Sequence, residues 1–191
     1  MNKEIDFKKF NLLNALCVMH DAFHVIDTER ERLSAWFWWM DKKVTPNMAK
    51  CCIFMLLYLA DTKRKEIAHK INSANLYDEQ FIIMVDGKFG GMTGLDNIND
   101  ATKDAEMWCF VSQENEGLGI GSASVKFLEN YSLENKKLER LYAKVNTNNT
   151  RSIKCVQRNG FKLKTIEYGI PTSRRNPKIA DIMTWEKQLV K

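Results

Sequence analysis

The sequence predicts one α/β or α+β domain in which about seven strands alternate with helices. Three observations support this fold class. The chain of 191 residues has the size of one compact domain, and 45% of its residues are hydrophobic, which is enough to form a core. Helical and strand-like periodicities both occur, and they alternate along the chain. Neither a repeat nor a low-complexity tract interrupts residues 1–191, so we expect a single domain.

The first third of the chain is predicted to be mainly helical. Asp6 to Asn14 are compatible with a first strand, and an amphipathic helix should follow because apolar residues then recur at helical spacing. These apolar residues are Leu16, Met19, Phe23 and Ile26. A short helix is expected over Glu29 to Trp39. A longer helix is expected over Met48 to about Lys70, with Thr45 as its cap and Pro46 near its first turn.

The middle third is predicted to consist of strands. Phe81 to Val85 are rich in β-forming residues, and Asp86-Gly87 is typical of a tight hairpin turn that leads into an extended stretch over Lys88 to Leu95. The polar residues Asn97 to Lys103 indicate a turn. Ala105 to Val111 then form another apolar and aromatic strand.

The last third alternates between helices and strands. Residues from Leu118 to about Ser132 follow helical spacing, and Leu138 to Val145 are predicted to form a strand. Asn149 to Arg158 are predicted to form a second helix, with an asparagine cap. Phe161 to Tyr168 and Ile179 to Trp185 then indicate a closing hairpin.

Composition narrows the class of protein. The charged amino terminus has no apolar region typical of a secretory signal, and the longest apolar run, Cys51 to Ala60, is about half of a membrane span. Five cysteines without CxxC spacing suggest reduced thiols, so we expect a soluble cytoplasmic protein.

The three histidines lie far from any acidic or cysteine cluster, which predicts no metal site. The net charge of +5 suits an anionic ligand, and it equally suits ordinary solubility.

A glycine-rich segment, Glu116 to Ser122, lies between a predicted strand and a predicted helix. Glycines at alternate positions let successive backbone amides point at an anion, and the dipole of the following helix assists. A dinucleotide-binding fold would need this turn after its first strand, and a nucleoside-triphosphate loop would need Gly-Lys-Ser or Gly-Lys-Thr. The segment therefore indicates a different phosphate-binding loop, although such glycines also occur in ordinary turns.

Two motifs resemble the GNAT acyltransferase superfamily. Gly119 and Gly121 occupy the small positions of its pyrophosphate loop, Gln or Arg, x, x, Gly, x, Gly or Ala, whereas Glu116 replaces the usual Gln or Arg. About thirty residues downstream, Asn149-Thr150-Arg151-Ser152 and Arg158-Asn159-Gly160-Phe161 resemble the Asn-x-x-Ser helix start and the terminal Asn-Gly-Phe of the family. As an alternative, these asparagine and glycine residues are simply good helix caps.

Three further stretches resemble the RimJ/RimL-like branch, which acetylates protein N-termini: Thr28 to Trp39, Gly94 to Ile98, and Ala105 to Trp108. The resemblance implies a mixed, mostly antiparallel central sheet of about seven strands flanked by helices. It also implies acetyl-coenzyme A as cosubstrate, without a metal. The residues implied to bind it are Phe110 and Val111 through their backbones, Glu116, Gly117, Leu118, Gly119, Ile120, Gly121, Ser122, Asn149 and Ser152.

The same resemblance implies catalytic and acceptor residues. Glu106 is the expected general base, acting through water, because the attacking amine must lose a proton. The alternative is a solvated glutamate on the strand without a catalytic role. Ser152 or Tyr142 is expected to protonate the leaving thiolate. Trp36, Trp39 and Asn97 are expected to line the acceptor site, with core packing as the alternative for any single tryptophan. Trp108 is expected to face away from Glu106.

The resulting prediction is an N-acetyltransferase, monomeric or homodimeric, that acts on the α-amino group of a ribosomal or other protein. A variant of this hypothesis has a small amine, an aminoacyl-nucleotide or a peptide antibiotic as acceptor, which would give resistance or self-immunity. A hypothesis of another class is a binding module, either a silent coenzyme A sensor or an RNA-associated protein that uses the basic excess.

Overall fold

A computed structural model describes residues 3–34, 47–71, 77–171 and 179–189. Within these residues, seven strands form one sheet in the order β1-β2-β3-β4-β5-β7-β6, in which only the β4–β5 pair is parallel. The strands are β1 (Ile5–Lys9), β2 (Tyr77–Val85), β3 (Lys88–Asn99), β4 (Asp104–Val111), β5 (Arg140–Asn146), β6 (Lys162–Pro171) and β7 (Ile179–Gln188). The helices are α1 (Leu12–Thr28), α2 (Arg30–Ser34), α3 (Met48–Ile71), α4 (Ile120–Tyr131) and α5 (Thr150–Arg158). The predicted mostly antiparallel sheet is confirmed.

The first strand is shorter than predicted. β1 ends at Lys9, because Asn11 takes the cap position of α1 and its side-chain Oδ1 accepts the backbone N–H of Asn14 at 2.9 Å. Asparagine is among the best residues for this position, and its cap starts the helix inside the range predicted as strand. The apolar spacing identified the helix correctly and only misplaced its start.

The hairpin between β2 and β3 forms as predicted. Asp86 and Gly87 have φ of +49° and +77°, which is the left-handed backbone that a tight two-residue hairpin requires. β3 then runs farther than expected, to Asn99, across a register irregularity near Asn97, whose φ is +54°. The polar stretch predicted as a turn therefore contributes its first residues to the sheet.

Helices cover both faces of the sheet. α1, α2 and α3 pack on one face, which we call the front face, around Ile82, Met92 and Phe110. α4 and α5 pack on the opposite face around Leu95, Met107 and Leu141. Because side chains alternate along a strand, even-numbered residues of β4 and β5 such as Phe110 belong to the front face and odd-numbered ones belong to the opposite face. Within the described part of the chain, no helix combines the length and the apolar character needed to cross a bilayer.

Candidate active site

The two parallel central strands separate part-way along their length. β4 and β5 pair only at Asp104↔Arg140, Ala105↔Leu141 and Glu106↔Tyr142, although β4 continues to Val111. Beyond Glu106, the edge of β4 that faces β5 therefore lacks a neighbouring strand among the residues that the structure describes. We call the resulting wedge the gap.

The backbone of β4 offers hydrogen-bonding groups to the gap. Ser112 donates its N–H to the Gly90 carbonyl of β3 at 2.8 Å. In an antiparallel ladder, the backbone N–H and C=O groups of residues two apart point to the same neighbouring strand. The peptide groups of Phe110 are consequently directed toward β3, while those of Val111 and Cys109 are directed toward the gap. Of the two residues predicted to bind a ligand through their backbones, Val111 has the suitable direction and Phe110 lies one residue out of phase.

The glycine-rich loop forms an open turn at one end of the gap. Gly117 and Gly119 have φ of +78° and +82°, and among the described residues no heavy atom other than those of the chain neighbours lies within 4 Å of the position that a Cβ would take at either residue. Gly119 caps α4 without a side-chain hydrogen bond, so the first amides of the helix remain available to an anion. Ile120 is buried and anchors the helix in the core, while the hydroxyl of Ser122 accepts a hydrogen bond from Asn159 at 3.1 Å.

After the open turn, α4 passes close to α5 at Gly121. A Cβ added at Gly121 would lie 3.4 Å from the Cys155 sulfur, so glycine allows the two helices to approach at this point. Leu118 is exposed at the tip of the loop, with 49% of its surface accessible. The structure thus places the loop residues around one exposed backbone turn.

Glu116 is held by two arginines from distant elements. Its Oε1 accepts a hydrogen bond from Arg32 of α2 at 2.8 Å, and its Oε2 accepts one from Arg151 of α5. Arg32 also pairs with Glu29 and donates to the Val111 carbonyl at 3.0 Å. The carboxylate that departs from the family pattern is therefore compensated by two guanidinium groups.

Asn149 and Ser152 lie at the start of α5. Asn149 caps the helix, because its Oδ1 accepts the backbone N–H of Ser152 at 3.1 Å. The alternative reading of Asn149 as a helix cap is thus correct for its carbonyl oxygen, while its amide group still carries donors for a ligand. Ser152 is half-buried, and α5 packs on the face opposite to Glu106.

Glu106 lies where β4 and β5 separate. Its side chain is 21% exposed, and its Oε2 lies 3.4 Å from the Nζ of Lys144. Burial raises the pKa of the Glu106 carboxyl, and Lys144 opposes this rise by stabilising the charged form. A carboxyl group with a raised pKa is a better proton acceptor when it is ionised, as a general base requires.

Glu106 belongs to a row of polar side chains on the front face, which also contains Asp96, Trp108 and Gln80 and which we call the polar row. Asp96 is its partner in the register of β3 and β4, and the Oδ1 of Asp96 accepts hydrogen bonds from Trp108 Nε1 at 3.0 Å and from Gln80 Nε2 at 2.9 Å. The expectation that Trp108 faces away from Glu106 is wrong, because residues 106 and 108 are two apart and share a face of the strand.

Asp96 is a perturbed carboxyl group within this row. Burial, followed by the neighbouring charge of Asp78, raises its pKa to about 6, although the hydrogen bonds from Trp108 and Gln80 act in the opposite direction. Asp78 in turn pairs with Lys65 of α3 at 2.6 Å. Asp96 therefore adds negative charge near Glu106 when it is ionised, whereas the charge of Asp78 is compensated by Lys65.

Tyr142 extends the row onto β5. It is the register partner of Glu106 across the parallel pair, and it points to the same face. Burial, then the charge of Glu106, raises the pKa of the Tyr142 phenol to about 12, so its proton is retained at neutral pH. Of the two candidate acids, Tyr142 shares a face with Glu106 and Ser152 does not.

The candidate acceptor residues are less well placed. Trp36 and Trp39 lie outside the described residues. Asn97 is exposed at the irregularity of β3, where its backbone N–H donates to the Asp78 Oδ1 at 3.0 Å. No cluster of three or more histidine, cysteine or acidic side chains with the geometry of a metal site occurs in the part of the chain that the structure describes.

Sequence reasoning missed three residues that shape the site: Arg32, Arg151 and Asp96. Arg32 is 84 positions from Glu116, so no local pattern connects them. Arg151 lies inside the Asn-x-x-Ser motif at one of its unspecified positions. Asp96 could have been found from the sequence. The register of the hairpin at Asp86-Gly87, continued along the two alternating strands, brings Asp96 opposite the neighbouring strand β2.

The sequence model of the acetyltransferase (GNAT) family matches residues 51–161, more than half of the chain. The chain belongs to this family. Spermidine N(1)-acetyltransferase of Escherichia coli (strain K12) is 26% identical over 102 residues, which cover 49% of this chain and 55% of that protein. The chain thus spans about half the length of the curated relative that it matches.

Two solved structures share the fold over nearly the whole chain. RimL, a ribosomal-protein α-N-acetyltransferase in complex with coenzyme A, has a TM-score of 0.75 at 14% identity, with 97% of this chain and 94% of that chain covered. The microcin C7 self-immunity acetyltransferase MccE, in complex with acetyl-CoA and AMP, has a TM-score of 0.73 at 16% identity, with coverages of 97% and 92%. These likenesses confirm the predicted fold.

The domain fits acetyl-coenzyme A, the cosubstrate of this family. The open turn at Gly117 and Gly119 leaves space and free helix amides for a pyrophosphate. The gap leaves the Val111 N–H on the edge of β4 facing an extended chain that carries amide groups, as pantetheine does, while the Val111 carbonyl accepts a hydrogen bond from Arg32. Glu116 does not oppose this fit, because Arg32 and Arg151 compensate its charge.

Proposed function

We propose that the protein transfers an acetyl group from acetyl-coenzyme A to a primary amine. The observation that carries the proposal is the position of Glu106, at the point where β4 and β5 separate and on the face that bears the polar row. The cosubstrate supplies the activated thioester. A base at this position stands beside the opening through which the thioester would be presented.

Glu106 and Tyr142 carry out the two proton transfers of the proposed reaction. Glu106, in its ionised form, accepts the proton that the ammonium group of the acceptor must lose, through an intervening water. The neutral nitrogen then attacks the acetyl carbonyl, and the carbon–sulfur bond breaks. Tyr142, which retains its proton, donates it to the departing thiolate. Backbone groups of β4 and of the start of α4 hold the cosubstrate.

The first acceptor that we propose is the α-amino group of a protein. This choice rests on the motifs shared with the RimJ/RimL-like branch and agrees with the fold shared with RimL. An exposed end of a polypeptide could reach Glu106 from the front face, where ionised Asp96 adds negative charge that attracts the protonated amine.

The second acceptor that we propose is a small amine with more than one positive charge. Asp96 supports this candidate, since among the described residues its carboxylate contacts the neutral donors Trp108 and Gln80, and it lies beside Glu106. A second ammonium group on the acceptor would compensate Asp96 while the first reacts. The relative in Escherichia coli is named for acetylation of spermidine, an amine of this class.

An acceptor panel tests the proposed function. The protein is incubated with acetyl-coenzyme A and with spermidine, spermine, monoamines, or peptides with free and with blocked N-termini, and free thiol is monitored. We expect thiol release with free amines and a mass increase of one acetyl group on the acceptor. The ratio of kcat/KM between polyamines and peptides decides between the two acceptors. Absence of thiol release above background with every acceptor would overturn the proposal.

A further inference from the structure

Glu116 and its two arginine partners form a charge cluster at the glycine-rich loop. Arg32 Nη1 donates to Glu116 Oε1 at 2.8 Å, and Arg151 Nη1 donates to Oε2, so each oxygen serves one guanidinium. With Glu29, which pairs with Arg32, the cluster contains two carboxylates and two guanidiniums. These charges cancel. A cofactor phosphate that arrives at the loop therefore meets a neutral cluster unless one ion pair opens.

The two arginines differ in how firmly they are held. Arg32 connects three segments, because it contacts Glu29 in the turn before α2, Glu116 in the loop and the Val111 carbonyl at the end of β4. Its side chain is only 25% exposed. Arg151 is 74% exposed and reaches Glu116 through Nη1. Arg151 is thus the partner that can leave Glu116 without disturbing the packing.

The position of Arg151 in α5 favours an anionic ligand. It lies in the first turn of the helix, where the positive end of the helix dipole disfavours a cation. Neither α4 nor α5 has an acidic residue in its first turn to compensate the free amides. An anion bound between the loop and α5 would interact favourably with Arg151 and with both helix starts.

We propose that Arg151 binds a phosphate group of coenzyme A by exchanging the Glu116 carboxylate for that phosphate. Glu116 keeps Arg32, which remains tied to the end of β4. The loop amides and Arg151 then enclose the phosphate from two sides. The proposal rests on the proposed function, because it assumes that the loop binds this cofactor.

Binding measurements on Arg151→Gln test the exchange. Isothermal titration calorimetry with coenzyme A should show binding about tenfold weaker than in the wild type, the size of one lost charge-assisted contact. Arg158→Gln is the matched control, since it removes the same charge from an exposed site on α5 about 10 Å along the helix axis. We expect this control to bind like the wild type, and both variants to keep the wild-type Tm.

Glu116 distinguishes exchange from simple neutralisation. If Arg151 contacts phosphate, Glu116→Gln frees the guanidinium from a competing carboxylate, so coenzyme A should bind more tightly. Adding Arg151→Gln to Glu116→Gln should then still weaken binding about tenfold. If Arg151 only neutralises Glu116, the double variant will bind as tightly as Glu116→Gln, and the proposal is overturned.

Cofactor fragments identify the phosphate. Persistence of the Arg151→Gln loss with 3′-dephospho-coenzyme A assigns the contact to the pyrophosphate, and loss confined to intact coenzyme A assigns it to the 3′-phosphate. An equal loss with pantetheine, which has no phosphate, overturns the inference. If the wild type does not bind coenzyme A, the proposed function itself falls. Normal wild-type binding that Arg151→Gln leaves unchanged overturns only the role of Arg151.

Discussion

At the scale of single residues, the site depends on carboxyl groups whose surroundings differ. Glu106 has a cation, Lys144, 3.4 Å away, whereas Asp96 accepts hydrogen bonds from the neutral groups of Trp108 and Gln80. Burial raises the pKa of both carboxyl groups, but the value of about 6 belongs to Asp96. Asp96 and Glu106, which lie on neighbouring strands, therefore have different proton affinities.

The Glu106–Lys144 pair predicts a change in the pH dependence of catalysis. A general base works when ionised, so activity rises as the pH passes upward through the pKa of Glu106. Lys144→Met removes the charge that lowers this pKa, and the acidic limb of kcat/KM should move to higher pH. At high pH the two enzymes should converge. The profile is measured with the best acceptor of the panel.

Two variants control this experiment. Lys88→Met removes an exposed lysine from the β2–β3 hairpin and should leave the profile unchanged. Glu106→Gln should lower kcat by about 10²-fold or more, the usual contribution of a general base, while coenzyme A binding is retained. An acidic limb that stays in place in Lys144→Met would contradict the assignment of Glu106 as the titrating base.

Asp96 predicts a pH-dependent gain in stability on substitution. Its pKa of about 6 in the folded protein exceeds the ordinary value of 3.8, so ionisation disfavours the fold. This cost develops as the pH rises between these two values and is complete above pH 6. Asp96→Asn keeps an acceptor for Trp108 and should raise the free energy of unfolding at pH 8, by at most about 3 kcal/mol.

Urea denaturation at pH 8 and at pH 4 measures this effect. The advantage of Asp96→Asn should shrink toward pH 4, where the carboxyl group of the wild type is becoming protonated in both states. A variant that is less stable than the wild type at pH 8 would show that the hydrogen bonds from Trp108 and Gln80 to the charged carboxylate outweigh its burial.

At the scale of elements, the proposed phosphate site lies where a strand, a loop and two helix starts meet. α4 begins at Gly119 with a left-handed residue and no side-chain cap, whereas α5 begins at Asn149 with a capping side chain. This difference between the two helix starts agrees with the different roles that we propose for them. The start of α4 keeps its amides available to a ligand, and the start of α5 is fixed so that Arg151 is held near the loop.

Gly119→Ala tests the open helix start. Its φ of +82° penalises any side chain by about 1 kcal/mol, although the described residues beyond its chain neighbours place no atom within 4 Å of the added methyl group. Gly87→Ala is the matched control, because Gly87 has a φ of +77° and equally free space in the hairpin. Both variants should lose similar stability in urea. Only Gly119→Ala should bind coenzyme A more weakly, because its methyl group occupies the phosphate cradle; equal affinities would argue against this cradle.

At the scale of the whole molecule, local pattern predicted the elements and missed contacts between distant segments. The Asp86-Gly87 turn and the alternation around it were sufficient to identify β2 and β3. The insertion of β7 between β5 and β6 leaves no local signature, because it is decided by which strand edges find partners in three dimensions. The boundary at Asn11 was misplaced because a good cap ended a stretch that strand propensity would have continued.

The residues of the candidate site also fall into those that local motifs indicate and those that only contacts between distant segments reveal. Glu106, the glycine-rich loop and Asn149 could be proposed as site residues from the sequence, because short motifs carry the resemblance. The compensation of Glu116 could not be predicted, since Arg32 and Arg151 come from elements on opposite faces of the sheet. From the sequence, Glu116 is an unfavourable carboxylate in a phosphate loop. The fold converts it into a ligand for two guanidinium groups.

The gap also divides the sheet into two parts. β1 to β4 form one part, β5 to β7 form the other, and three register pairs at Asp104, Ala105 and Glu106 join them directly. In the described part of the chain, the backbone amides of β4 that face the gap beyond Glu106 have no strand partner, so they should exchange hydrogen with solvent faster than amides paired to β3. Coenzyme A, bound along this edge, would provide the missing partners.

Hydrogen exchange measured by mass spectrometry tests this view of the molecule. Saturating coenzyme A should slow exchange in peptides that cover Met107–Val111 and the start of α4, because bound cofactor protects their amides. Peptides from the β6–β7 hairpin, which lies at the far edge of the sheet, serve as the internal control and should change little. Uniform protection of all peptides would indicate global stabilisation by mass action alone. Protection confined to the β6–β7 hairpin would place the cofactor elsewhere and contradict the role assigned to the gap.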